Sequence, residues 1–308
     1  MVTRVGMLGV SEGNGHPFSF ATIINGYRGH GLKEAGWPGI DDYVRRRHDS
    51  EFGVGDMRVT HAWTQESEQT SVLCEATGIP NAMKSVRDMI GEVDAVIIAR
   101  DDPESHRELA IPFLEAGIPV FIDKPLTLDP DDLRDFLPYL QQGKLMSCSG
   151  MRYAKELDAI RDGQVEHGDL KVVRGTIVKD WARYGIHLLD AILPLLPARP
   201  LAVTPLPGRH ESVLVTLADG LSLTLDALGD APATFRIELM GSRAISRVDI
   251  ADNFSMFRRT LWEFQRMIVD RRPPIPVTTT LDSVLTLIAG QRALSTRKEV
   301  ALDDFDLS

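Results

Sequence analysis

At 308 residues, with 43% hydrophobic and 25% charged side chains, the chain can hold two domains of ordinary size and reads as globular rather than disordered or fibrous. Its 44 acidic against 34 basic residues give a net charge of −10, which argues against a nucleic-acid partner, since phosphate-backbone binding leans on clustered Lys and Arg. No apolar run reaches membrane-spanning length, and Cys74 and Cys148 are too far apart for a Cys-x-x-Cys motif, so both read as small core residues and no metal site is marked.

Arg4 to Val10 reads as the first strand, and its early start leaves no room for a secretion leader, so a cytoplasmic location is expected. A glycine-rich loop follows: Gly9-Val10-Ser11-Glu12-Gly13-Asn14-Gly15-His16-Pro17. A dinucleotide fold places Gly-x-Gly-x-x-Gly here, so that backbone N–H groups approach a pyrophosphate at a helix N-terminus. Only Gly9 is in register; Ser11 and Asn14 stand where the second and third glycines belong, while Gly13 and Gly15 are displaced. Gly9, Ser11, Gly13, Asn14 and Gly15 are thus the candidate cofactor-binding residues of a loop on its own path; the alternative is a loop shaped for another ligand. Residues 24–57 exceed the usual link to a second strand and suggest a lid or a partner surface. Within them, Arg45-Arg46-Arg47-His48 reads as the solvated end of a short helix.

Arg58 to Thr64 is the second strand, followed by a helical stretch over 70–77. The segment from Val93 to Leu126 is the most informative. It reads as a buried strand (Val93 to Ala99), an amphipathic helix (Pro103 to Ala116) and a second apolar strand (Val120 to Ile122), with Asp123-Lys124-Pro125 next. Such a unit makes parallel neighbours through a right-handed crossover, and ligands bind beyond the carboxyl ends of the strands. Lys124 is therefore delivered to the mouth of a ligand site. Asp101, after the first of these strands, either holds hydroxyls there or caps the following helix. His106 is equally open to a packing or a functional role. A helix near Pro130 and a strand over Lys144 to Gly150 complete a parallel, doubly wound pattern.

After Gly150 the pattern changes. Lys171 to Asp180 is a strand, Val213 to Leu225 a hairpin with Asp219-Gly220 at a two-residue turn, and Phe235 to Ile250 a hairpin turning at Gly241-Ser242. Helices near 255–270 and 281–293 predict an open antiparallel sheet covered on one face. The block from Asp180 to Leu196 puts Arg183, His187 and Asp190 on one face of an otherwise apolar, buried helix. Buried ionisable groups need partners, and a histidine there has an unperturbed pKa suited to proton transfer. The alternative is a structural His187–Asp190 pair in a core helix.

Strand, His-containing helix and Asp-Lys-Pro together resemble the Gfo/Idh/MocA family of glucose–fructose oxidoreductase and inositol dehydrogenase relatives, whose triplet is Glu-Lys-Pro. Gly185-x-His187 is similar to the family's Gly-x-His helix, and the stretch from Pro273 to its last helix. The resemblance implies an α/β fold with a Rossmann-type parallel sheet over 1–150 and a C-terminal α+β domain, with a largely antiparallel open sheet, over 151–308. It implies NAD(P)-dependent chemistry on a hydroxyl or carbonyl of a sugar, polyol or sugar-nucleotide, with Lys124 and His187 catalytic. Where the family has an Asp four residues before the His, this chain has Arg183, which cannot act as a base and suits an anionic substrate group instead. Asp180 or Asp190 would then orient His187, and Arg152-Tyr153 match a pair near the family's domain junction, where they reach substrate or hold the junction. The ribose-binding acid is sought among Thr64, Gln65 and Glu66; no Arg lies immediately beside them, and the cofactor is NAD or NADP. A homodimer or homotetramer is implied. Two rivals stand: an epimerase or glycosidase with tightly held NAD, and a non-catalytic sugar- or partner-binding relative without NAD(P).

Overall fold

The computed structural model describes residues 2–29 and 31–306, so His30, within the 24–57 insertion, lies outside the described residues. The chain forms two compact units. The first comprises the chain up to Leu126, Phe136–Ser147 and Phe257–Ile275; the second comprises Thr127–Asp135, Cys148–Met256 and the chain from Pro276.

The first unit is built on strands β1 (Thr3–Leu8), β2 (Met57–Trp63), β3 (Asn81–Ala82), β4 (Ala95–Ile98), β5 (Val120–Ile122) and β6 (Leu145–Ser147), all parallel in the order β3-β2-β1-β4-β5-β6. Every residue of β4, β5 and β6 is buried, the pattern of strands covered on both faces. The accompanying helices are α1 (His16–Asn25), α2 (Gly31–Glu34), α3 (Pro38–Val44), α4 (Ser67–Thr77), α5 (His106–Glu115) and α6 (Pro130–Gln141). α4 stops at Gly78, whose left-handed φ of 67° lets its N–H close on Cys74 O. The core gathers Phe20, Phe113, Phe121 and Phe264, all at most 1% exposed. Removing one such ring costs about 3–5 kcal/mol, so the sheet ends are held by a well-filled interior. Strand order reverses direction between β1 and β4, the point at which doubly wound sheets bind ligands.

The second unit holds β7 (Leu170–Ile177), β8 (Pro200–Leu206), β9 (Glu211–Leu217), β10 (Ser222–Ala227), β11 (Phe235–Gly241), β12 (Ile245–Asp249) and β13 (Val300–Ala301), ordered β12-β11-β7-β10-β9-β8-β13. The β7–β10 pair is parallel and the other neighbours antiparallel, giving the largely antiparallel sheet expected. Its long helices are α8 (Trp181–Ile192), which follows the short α7 (Asp158–Arg161), and α10 (Val277–Thr296); α9 (Asn253–Asp270) belongs from Phe257 onward to the first unit. Trp181, 1% exposed, donates its indole N–H to Leu287 O at 2.9 Å and so locks α8 to α10. The β9–β10 turn corrects the expectation. The Leu217 N–H donates to Leu221 O at 2.8 Å across the turn, leaving a three-residue loop with Gly220 at φ 85°, which relieves the twist that Ala218-Asp219-Gly220 must absorb. The β11–β12 turn falls on Ser242-Arg243, closed by the Gly241 N–H donating to Ala244 O at 2.9 Å. Cys148 is buried as expected, whereas Cys74 is half-buried on α4.

Candidate active and cofactor sites

The glycine loop turns tightly by its own route. Asn14 N–H donates to Ser11 O at 3.0 Å, closing a β-turn with Gly13 at φ 74°, a value only glycine tolerates cheaply at that position. Among the described residues no protein acceptor takes the N–H groups of Glu12 and Gly13 at the tip, so they remain donors for an anion. The carbonyl and N–H of Val10 are clipped by the Gln65 side chain at 2.6 and 3.2 Å. Gly9, at φ 80°, is required for space as well: a Cβ there would lie 2.3 Å from Arg100 Cδ. Arg100 is itself paired with Asp102, whose carboxyl is disfavoured by burial but held below its usual value by that guanidinium.

Ser11 and Asn14, where the usual motif has glycines, tie the loop to the strand ends that carry Lys124. Ser11 Oγ donates to Asp101 Oδ1 at 2.5 Å and accepts the Asp101 N–H at 3.1 Å. The other Asp101 oxygen is 3.5 Å from Lys124 Nζ, a group only 3% exposed. The helix-capping reading of Asp101 is thereby set aside. Asn14 Nδ2 donates to Asp123 Oδ2 at 3.3 Å, and His16 Nδ1 meets the same oxygen at 2.5 Å; Asp123 Oδ1 accepts the Lys124 N–H at 2.9 Å. Burial opposes ionisation of Asp123, yet His16 and Lys124 together hold its carboxyl at about 2. The Lys124–Pro125 peptide is cis. His106 is fully buried between Leu126 O (3.0 Å) and Arg100 O (3.1 Å), a packing role.

Beside the loop, between Val10 and the N-terminus of α4, opens a cavity of about 600 Å³. Of the three residues at the end of β2, Thr64 is buried against Thr70, Gln65 holds Val10, and Glu66 reaches the cavity with Glu68.

In the second unit His187 and Asp190 are buried on α8, at 7% and 3% exposure, but Arg183 is exposed. The expected three-residue stripe therefore reduces to two. Asp180, offered as a group to orient His187, instead caps α8 by accepting the Arg183 N–H at 2.9 Å. The residue that orients His187 is one the sequence reading missed: Ser149 Oγ lies 2.6 Å from His187 Nδ1, with Tyr184 packed edge-on at 5.0 Å. Asp190 acts one step removed, accepting the Ser149 N–H at 2.7 Å. Burial pushes its carboxyl above the usual value, opposed by the Arg152 guanidinium 3.5 Å away. Arg152 is 9% exposed, and its Nη1 makes no hydrogen bond to a protein acceptor among the described residues. Tyr153 follows it, half-buried, in a 3-10 turn capped by Ser149.

The first unit is a doubly wound parallel sheet with a glycine turn after β1, a buried lysine after β5 and a cavity between the β1 loop and the start of α4. Residues 38–149 match the GFO_IDH_MocA model, described as an oxidoreductase family with an NAD-binding Rossmann fold. Among solved structures it is similar to scyllo-inositol dehydrogenase from Lactobacillus casei with bound NAD(H) and scyllo-inositol (15% identity, 98% of this chain and 100% of that one, TM-score 0.76). It is also similar to myo-inositol dehydrogenase from Lactobacillus casei in complex with NAD(H) and myo-inositol (12%, 98% and 97%, 0.76). A third is UDP-N-acetylglucosamine 3-dehydrogenase from Acidithiobacillus ferrooxidans (17%, 96% and 99%, 0.71). At such identities the likeness is one of fold. No curated protein matches the chain in sequence. Among the described residues no helix is long and apolar enough to cross a membrane.

Proposed function

We propose that the protein is an NAD-dependent dehydrogenase or reductase acting on a hydroxyl or carbonyl of a sugar, polyol or sugar-nucleotide. The observation that carries this reading is the relay Ser11–Asp101–Lys124, which couples the glycine turn to a buried ammonium at the switch point of the sheet. The residues present fit a dinucleotide. The Glu12 and Gly13 N–H groups, flanked by Gly9, Ser11, Asn14 and Gly15, suit its pyrophosphate, and Asp101 its hydroxyls. Glu66 and Glu68 at the cavity favour an unmodified ribose, because their carboxylates accept from its hydroxyls and repel a 2′-phosphate. NAD is therefore preferred to NADP.

When bound, the nicotinamide accepts or supplies a hydride. Lys124 donates a hydrogen bond to the reacting oxygen and offsets the negative charge that develops there. His187 exchanges the hydroxyl proton at Nε2, since Ser149 engages Nδ1. Arg152, held by Asp190, and Tyr153 beside it are the proposed contacts to the substrate. Asp180 caps α8 and Asp190 accepts from Ser149, whereas the exposed Arg183 remains suited to an anionic substrate group. The seven-stranded sheet is the proposed surface for a homodimer or homotetramer.

A spectrophotometric screen of polyols, sugars and sugar-nucleotides with NAD, run beside Lys124→Ala, tests the proposal. Turnover on one class, reduced about 100-fold or more in the variant, is expected. Full activity in Lys124→Ala would contradict it.

A further inference from the structure

The segment joining α1 to β2 carries Trp37, and nothing in the parallel sheet requires it. Trp37 N–H donates to Leu32 O at 2.9 Å, and the residue leads into α3. Its ring lies against the start of α1. A Cβ built on Gly15 would fall 2.5 Å from Trp37 Cε3, and the ring centroid is 5.7 Å from that of Phe18. One part of the indole is thus fixed by close packing, while the half-exposed remainder lines the 600 Å³ cavity. Val10, Phe18, Trp37 and Val72 give that cavity an apolar lining, and Glu66 and Glu68 add carboxylates at the N-terminus of α4. The cavity is of ligand-binding size, with an apolar wall and a few convergent polar groups.

This combination suits a flat heterocycle joined to an uncharged, hydroxylated sugar. A phosphate would meet two carboxylates, whereas a purine has a π-face for the indole and its ribose has hydroxyls for the acids. We propose that Trp37 is the stacking wall for the adenine of the dinucleotide, so that the 31–44 segment serves as a cofactor clamp. The inference rests on the dehydrogenase reading and assigns to the inserted segment a role of its own. Gly15 is then explained by the approach of Trp37 as much as by that of a pyrophosphate.

The test is calorimetric titration of the full-length protein, and of its Trp37→Leu and Trp37→Phe variants, with NADH. Stacking on an aromatic side chain predicts NADH affinity roughly 10-fold or more weaker in Trp37→Leu and largely retained in Trp37→Phe, with thermal midpoints of the free proteins that do not explain the loss. Equal affinity in wild type and Trp37→Leu overturns the clamp while leaving the dehydrogenase reading intact. A loss as large in Trp37→Phe as in Trp37→Leu also overturns it, since stacking would then not be the cause. Wild-type protein that binds neither NADH nor NADPH overturns the dinucleotide reading itself.

Discussion

His16 Nδ1 lies 2.5 Å from Asp123 Oδ2, joining the first turn of α1 to the residue just before Lys124. The same buried carboxylate takes Asn14 Nδ2 and the Lys124 N–H, so one side chain registers the glycine loop against the lysine. In Asp123→Ala three donors lose their acceptor in a site 2% exposed. Breaking a buried charged pair from one side typically costs about 3–5 kcal/mol. Denaturant unfolding should show a loss of that order for the first unit, and an unchanged midpoint would show the hub to be incidental.

Asp123 also predicts an acid limb. Its carboxyl is held at about 2, below the usual 3.8, so the folded state binds its proton less readily than the unfolded chain does. That contribution, roughly 2 kcal/mol, is fully present above pH 4 and is lost as pH falls from about 4 towards 2. Thermal midpoints of wild type should fall through this window, and those of Asp123→Asn should fall less steeply.

Ser149 touches His187 and has no role of its own in the proposed chemistry. Ser149→Ala removes the hydrogen-bond partner at Nδ1 that directs exchange to Nε2. Turnover should drop roughly 10- to 100-fold while NADH affinity stays as in wild type. Equal losses in both would mean that the variant disturbs the fold rather than the orientation of the histidine.

Strands such as β5, which lies at Val120–Ile122 as the sequence predicts, are legible because each is a short apolar run bounded by turn residues; β3, β8 and β13 are not, β3 being only two exposed residues. Lys124 was legible for the same reason, since a residue that follows such a strand has only one place to be. Periodicity misled on α8, where Arg183 shares a face with His187 in projection but sits in the exposed first turn. The partners Ser149 and His16 were not legible, because each meets its histidine or carboxylate from about 40 to 110 residues away in sequence. A signal for His16 existed in the displaced glycines: a loop that gives up two glycines for Ser11 and Asn14 must be held by side chains, and Gly15-His16-Pro17 begins the helix that does so.

The most direct test of the account is titration of the purified protein, freed of any copurified nucleotide, with NADH and with NADPH, followed by calorimetry and thermal shift. The account predicts micromolar NADH binding, a thermal midpoint that rises with ligand as expected for a ligand of the folded state, and NADPH weaker by about tenfold or more. Absence of binding by either nucleotide would contradict it and leave the glycine turn, its free N–H groups and the Lys124 relay to a non-redox ligand.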